Sequence, residues 1–190
     1  MKVKKIVSGT CYQIAAKDGR VVEIAGMDCN SGATVQLWEN GNGDSQKWLA
    51  VEVETGWYKL QNKMSGKVLD VMSAGSDNGA RLHAWDYVGK DNQLWAFEAV
   101  KGGFKLRSKR SGRVLDIVDM SAENGARLQI WDDVDGENQV WVVTDETAAP
   151  AKKTAAKKPA AKKAAKAEAK PAAEKKAPAK KDESASEDAE

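Results

Sequence analysis

Histidine is nearly absent from this 190-residue chain: His83 is the only one. That excludes a histidine cluster for a metal ion and leaves no His-based catalytic triad. Cysteine is also scarce. Cys11 and Cys29 are the only two, too few for the disulfide framework of a small secreted domain. No apolar run approaches the ~20 residues of a membrane span, so no transmembrane segment is expected. No window shows an apolar period of 3.6. Met1-Lys-Val-Lys-Lys has the basic start of a signal peptide, but Ser8, Gly9, Thr10, Gln13 and Lys17 interrupt the apolar stretch that should follow. Ser8-Gly9-Thr10-Cys11 likewise lacks the apolar residue of a lipoprotein cleavage site. These features point to a cytoplasmic protein, with release by a non-classical route as the alternative. Carboxylates are plentiful, yet none stands in an apolar setting that would raise its pKa for acid–base work. The expectation is a monomer that is not an enzyme and needs no cofactor or metal. Asp133-Val-Asp135-Gly136 is a fragment of a Ca²⁺-loop pattern, but Trp131 occupies its first ligand position and no bidentate Glu follows.

Proline and glycine divide the chain. All 16 glycines and all 7 tryptophans precede residue 148, and all 4 prolines follow it. Residues 148–190 hold 12 Lys and 7 acids, net +5, with no aromatic residue and no Val, Ile or Leu. The whole chain is +2, so residues 1–147 come to −3. Two segments are therefore expected: a folded domain over 1–147 and a tail over 148–190. The tail is too poor in apolar side chains to offset its ordering entropy, so disorder is expected there.

Within the first segment one pattern recurs three times at a period near 46 residues. The stretches Ser31-Gly-Ala-Thr-Val-Gln-Leu-Trp38, Asn78-Gly-Ala-Arg-Leu-His-Ala-Trp85 and Asn124-Gly-Ala-Arg-Leu-Gln-Ile-Trp131 align without gaps. Each leads to a Gln-x-Trp: Gln46-Lys-Trp48, Gln93-Leu-Trp95 and Gln139-Val-Trp141. Such repetition takes precedence over every other reading of the fold. The repeats run about 11–56, 57–103 and 104–147. Each offers four short strands separated by turn residues; in the second these are Tyr58–Gln61, Lys67–Val71, Arg81–Trp85 and Gln93–Phe97. Three repeats of four strands predict an all-β fold, a β-trefoil: a six-stranded barrel capped by three hairpins.

The two tryptophan sets read differently. Trp48, Trp95 and Trp141 stand among Leu, Val and Phe and read as core fillers around a threefold axis. Trp38, Trp85 and Trp131 are followed at once by acids and turn residues, a setting suited to stacking on a ligand. Fifteen residues upstream of each stands a carboxylate, Glu23, Asp70 or Asp116; seven downstream stands Ser45, Asn92 or Asn138. Aromatic, carboxylate and amide together suit a sugar. The indole face stacks on the C–H face of a pyranose. The carboxylate accepts charge-assisted hydrogen bonds from vicinal hydroxyls, and the amide both donates and accepts. Taken alone, the Asp and Asn residues would read as turn caps; their recurrence favours the site.

On these residues the segment resembles a ricin B-type lectin domain, a β-trefoil whose hallmark is the Gln-x-Trp repeat, over roughly residues 10–145. The resemblance implies carbohydrate binding through Asp70, Trp85 and Asn92 in repeat two, and through Asp116, Trp131 and Asn138 in repeat three. It adds the residue two before each aromatic, His83 and Gln129. Galactose- and xylose-type sugars are the family's common choices. The chain departs from the pattern in repeat one, where Glu23 and Ser45 replace Asp and Asn beside Trp38, so repeat one reads as a copy that has lost its sugar site. The family's frequent disulfide positions hold Val68, Tyr87, Val114 and Asp133, in keeping with a reducing compartment.

The Lys-Lys-Pro-Ala-Ala-Lys-Lys texture of the tail resembles linker-histone tails and implies contact with nucleic acid or another polyanion. Its last nine residues, Asp182 to Glu190, are net −5 and would compete for the lysines. The alternative to a lectin is a non-catalytic trefoil scaffold for protein or nucleic-acid interaction, with the basic tail supplying the affinity.

Overall fold

The computed structural model describes residues 3–146; the tail expected at 148–190 lies outside the described residues. Twelve strands and six single 3₁₀ turns follow one another in three equal sets. Repeat one supplies β1 (Thr10–Ala15), β2 (Val21–Ile24), β3 (Ala33–Trp38) and β4 (Trp48–Glu54). Repeat two supplies β5 (Trp57–Asn62), β6 (Val68–Val71), β7 (Leu82–Trp85) and β8 (Trp95–Val100). Repeat three supplies β9 (Gly103–Ser108), β10 (Val114–Ile117), β11 (Ala126–Trp131) and β12 (Val142–Asp145).

All pairings are antiparallel. The first and fourth strands of the repeats form the barrel, through β1–β4, β4–β5, β5–β8, β8–β9 and β1–β12. The bridge between Phe104 and Trp141 closes it. The second and third strands form hairpins, β2–β3, β6–β7 and β10–β11. These meet one another in a triangle, β3 with β7, β3 with β11, and Arg81 of the β7 approach with Gln129 of β11. The expected β-trefoil is what forms. The fourth strand of repeat two begins later than the pattern predicts. Asp91–Gln93 wind a 3₁₀ turn and the strand starts at Trp95, because the side chain of Gln93 is taken up by the preceding loop.

The core explains the Gln-x-Trp motif. Trp48, Trp95 and Trp141 are fully buried beside Leu37, Leu69, Leu82, Leu106 and Leu115. A buried indole needs a partner for its N–H. Trp48 Nε1 donates to the Val22 carbonyl at 2.9 Å, Trp95 Nε1 to Leu69 at 3.0 Å, and Trp141 Nε1 to Leu115 at 3.1 Å. The Gln two residues earlier staples the loop ahead of it. Gln93 Nε2 donates to the Asp86 carbonyl while its Oε1 accepts from Val88 N–H. Gln46 makes the same pair with Glu39 and Gly41, and Gln139 with Asp132 and Val134.

Neighbouring repeats are tied by ion pairs at equivalent places: Lys17–Glu137, Lys63–Asp44 and Lys109–Asp91. Each is at least partly exposed and contributes little by itself. The contact between the first strand and the loop after the outer tryptophan is chemically different in each repeat. Gln13 and Asn40 exchange amide hydrogen bonds, Lys59 Nζ lies 4.5 Å over the Tyr87 ring, and Lys105 pairs with Asp133 and Asp135.

One position is left imperfect. Asn62 ends β5, and its Nδ2 donates to the Ser45 carbonyl of the preceding repeat at 2.8 Å while its Oδ1 accepts from Met64 and Ser65. Ser108 holds the same place in repeat three. Its hydroxyl is buried with no hydrogen-bond partner, because the serine side chain is too short to reach as Asn62 does. Ser108→Asn is therefore expected to stabilise the domain by about 1 kcal/mol, seen as a melting temperature raised by roughly 3 °C in thermal unfolding followed by circular dichroism.

Candidate functional site

The strand register assembles the site before any side chain is considered. Asp70 on β6 stands directly opposite His83 on β7, Asp116 on β10 opposite Gln129 on β11, and Glu23 on β2 opposite Gln36 on β3. Side chains alternate along a strand, so the tryptophan two residues beyond His83, Gln129 or Gln36 shares that residue's face. The outer tryptophans stay partly open: Trp38, Trp85 and Trp131 are 38 %, 40 % and 38 % exposed, against none for the Gln-x-Trp set.

In repeat two all the expected residues meet. All four residues of β6 are buried, Asp70 among them, so its carboxylate needs partners. Oδ1 lies 2.9 Å from His83 Nε2, and Oδ2 accepts from Asn92 Nδ2 at 3.0 Å. An ionised carboxylate only accepts, which puts a proton on Nε2 of His83. The His83 ring in turn stacks on Trp85, with centroids 5.0 Å apart and planes at 20°. Asp70, His83, Trp85 and Asn92 line one cleft of about 580 Å³ together with Gly32 and Val88. Each carboxylate oxygen has two acceptor directions and spends one on these partners, so both keep capacity for a ligand hydroxyl.

Repeat three repeats the arrangement with an amide in place of the imidazole. Asp116 Oδ1 accepts from Gln129 Nε2 at 2.9 Å; Oδ2 accepts from Asn138 Nδ2 at 2.7 Å and from Gln139 Nε2 at 3.0 Å. Burial pushes the Asp116 carboxyl above the usual carboxylate range, against the pull of these three amide donors. Trp131 ends the same strand as Gln129.

Repeat one keeps the carboxylate and the aromatic but not the amide. Glu23 Oε1 accepts from Gln36 Nε2 at 3.0 Å and Oε2 from Gln46 Nε2 at 2.8 Å. Glu23 thus reaches the Gln of its Gln-x-Trp, as Asp116 reaches Gln139. Ser45 is not among its partners; it presents its backbone carbonyl to Asn62.

Two parts of the site were not foreseen. Each outer tryptophan is backed by a glycine of another repeat. A Cβ built on Gly32 would lie 3.6 Å from the Trp85 ring, one on Gly79 3.8 Å from Trp131, and one on Gly125 3.9 Å from Trp38. All three have positive φ, between 87° and 95°. The aligned Ser31-Gly32, Asn78-Gly79 and Asn124-Gly125 were the signal, though nothing in one repeat says that its glycine serves the next. The second is a pair of successive left-handed residues after each carboxylate strand: Gly26 and Met27, Ser73 and Ala74, Asp119 and Met120, with φ between 50° and 61°. Ser73 and Ala74 line the repeat-two cleft. Non-glycine residues pay strain in this region, and only Gly26 hinted at it.

A model of the ricin-type beta-trefoil lectin domain-like family matches residues 3–85 and 91–155. Among solved structures, the designed threefold-symmetric protein ThreeFoil is similar, with 32% identity and a TM-score of 0.69 over 71% of this chain and 98% of its own. The exo-beta-1,3-galactanase 1,3Gal43A from Clostridium thermocellum matches with 30% identity and a TM-score of 0.70, over 74% of this chain but only 31% of that protein. The Macrolepiota procera ricin B-like lectin in complex with lactose shares the fold at 20% identity and a TM-score of 0.60, over 74% of this chain and 98% of its own. No curated protein sequence matches the chain. The threefold Gln-x-Trp core, the carboxylate–tryptophan hairpins and the family match over most of residues 3–155 agree: this chain belongs to the ricin-type β-trefoil lectin-like family.

Proposed function

We propose that the chain is a carbohydrate-binding lectin that works through repeats two and three. The observation that carries this reading is the repeat-two cleft, where Asp70, His83, Asn92 and Trp85 converge with Trp85 still 40 % exposed. The carboxylate takes two neighbouring hydroxyls, the Asn92 amide a third, and Trp85 receives the apolar face of the ring. Repeat three offers related chemistry through Asp116, Asn138 and Trp131, with Gln129 orienting the carboxylate as His83 does; Asp116 Oδ1 keeps room for a hydroxyl, while Oδ2 already accepts from Asn138 and Gln139. A galactose- or xylose-type sugar suits both. The lactose held by the Macrolepiota procera protein is of the first kind. The reading assigns no catalysis to these residues. The free thiols of Cys11 and Cys29 suit a cytoplasmic setting.

A single site makes three or four hydrogen bonds worth on the order of 1 kcal/mol each and stacks one ring, so its affinity lies near the millimolar range. Two such sites on one rigid barrel raise avidity for a branched or repeating glycan by about 10²-fold. In Asp70→Asn with Asp116→Asn, glycan binding measured by calorimetry falls below detection while circular dichroism stays that of the folded domain. A folded double variant that binds glycan as the parent does would refute the lectin reading.

Repeat one is the internal comparison. Trp38 is as open as the other two, but the longer Glu23 side chain places its carboxylate between Gln36 and Gln46 and no amide stands at Ser45. Stacking contributes roughly 1 kcal/mol beyond area burial, too little to hold a ring alone. A crystal soaked with a bound sugar shows density beside Trp85 and Trp131 and none beside Trp38; a ring at Trp38 held by Glu23 would overturn the assignment.

For the tail, the reading is sequence-independent contact with a polyanion through its 12 lysines. Deleting residues 148–190 abolishes retardation of DNA or RNA and leaves the melting temperature of the domain unchanged. In the full chain, nucleic-acid affinity falls steeply between about 50 and 200 mM salt.

A further inference from the structure

The outward face of the cap carries a charge pattern that the two-site reading does not use. Along each third strand three residues share this face: Thr34, Gln36 and Trp38 on β3; Arg81, His83 and Trp85 at β7; Arg127, Gln129 and Trp131 on β11. The residues between them, Val35 and Leu37, Leu82 and Ala84, Leu128 and Ile130, are buried. The first residue of each row lies toward the pseudo-threefold axis and faces the orienting residue of another repeat. Thr34 is opposite His83, Arg81 opposite Gln129, and Arg127 opposite Gln36.

Repeat two therefore meets a neutral threonine, and repeat three meets an arginine. Arg127 lies two residues from Gln129 on the same strand face, which makes it the diagonal neighbour of Arg81 at roughly 7–8 Å between Cα atoms. Both arginines are exposed. Neither guanidinium makes a hydrogen bond or ion pair among the described residues, whereas Arg20, Arg107 and Arg113 each pair with a carboxylate. The carboxylates on the neighbouring strands and loops have other partners. Asp70 is held by His83 and Asn92, Asp116 by three amides, Glu23 by two, and Asp132 by Arg113. Two unneutralised guanidinium forks thus stand together on a segment of net charge −3, immediately beside a carbohydrate-type site. Guanidinium forks match the planar oxygens of carboxylate and the oxygens of sulfate.

We propose that repeat three, taken as a sugar site, accepts an acidic saccharide. One ring stacks on Trp131 and is held by Asp116 and Asn138, and a carboxylate or sulfate group on the same glycan is held by Arg81 and Arg127. Repeat two has Thr34 where repeat three has Arg81, so it offers one guanidinium in place of two and favours neutral glycans. The two sites of one barrel then read different features of a single glycan, one charged and one not.

The test is a glycan array on which each neutral glycan is printed beside its sulfated and its sialylated derivative, probed with the full-length protein at moderate salt. The readout is the ratio of acidic to neutral binding. The parent shows a ratio of roughly ten. Arg81→Gln with Arg127→Gln lowers the ratio roughly tenfold from the parent's, and Asp116→Asn brings it down as well. The lysine tail is common to all three proteins, so its non-specific attraction cancels in the comparison. The sulfated and sialylated arms tell which anion is preferred. A ratio near one in the parent, or a ratio that survives Arg81→Gln with Arg127→Gln, overturns the acidic specificity while leaving the lectin reading intact. A parent protein that retains no glycan of any kind overturns both.

Discussion

The hydrogen bond from a fully buried indole to a strand carbonyl is the constraint on which the molecule depends. Trp48, Trp95 and Trp141 fill the barrel, and their N–H groups find acceptors only at Val22, Leu69 and Leu115. Those carbonyls belong to the residues immediately before Glu23, Asp70 and Asp116. The bond that satisfies the core therefore also fixes the strand position of each carboxylate. The glutamine two residues before the indole fixes the loop on the other side, through paired bonds to backbone carbonyl and amide. Core and site share the same few atoms, which is why the motif carries so much of the fold.

The three hairpins show how far one frame tolerates chemical change. A buried carboxylate must be surrounded by donors, and each repeat meets this differently: imidazole and amide for Asp70, three amides for Asp116, two amides for Glu23. The contact between first strand and outer loop varies just as widely, from an amide pair to a cation over a ring to an ion pair. The backbone register stays constant throughout, so functional difference between repeats resides in side chains.

Much of this was legible in the chain itself. Two rare residues recurring in phase required three equivalent units, and short strands between turns required an all-β barrel. Asp70, Trp85 and Asn92 recur at the offsets of Asp116, Trp131 and Asn138, and the register brings each set together. What could not be read is what crosses between repeats. No local pattern says that Gly32 sits behind Trp85, or that Arg81 faces Gln129, because both contacts depend on how the hairpins close on one another. The left-handed pair Ser73 and Ala74 was hidden for another reason: these residue types do not ordinarily adopt that backbone, and only tertiary context imposes it. The late start of β8 came from Gln93, whose side chain serves a loop although its apolar neighbours suggest a strand.

The glycine behind each outer tryptophan has a genealogical consequence. Gly32 of repeat one serves Trp85 of repeat two, Gly79 of repeat two serves Trp131 of repeat three, and Gly125 of repeat three returns to Trp38 of repeat one. This is a head-to-tail contact that closes after three steps, the geometry of a cyclic trimer written into one polypeptide. A lone ancestral unit of this kind would have had no seat for its aromatic ring and no complete pocket. All three ring seats would have been complete only where three copies met.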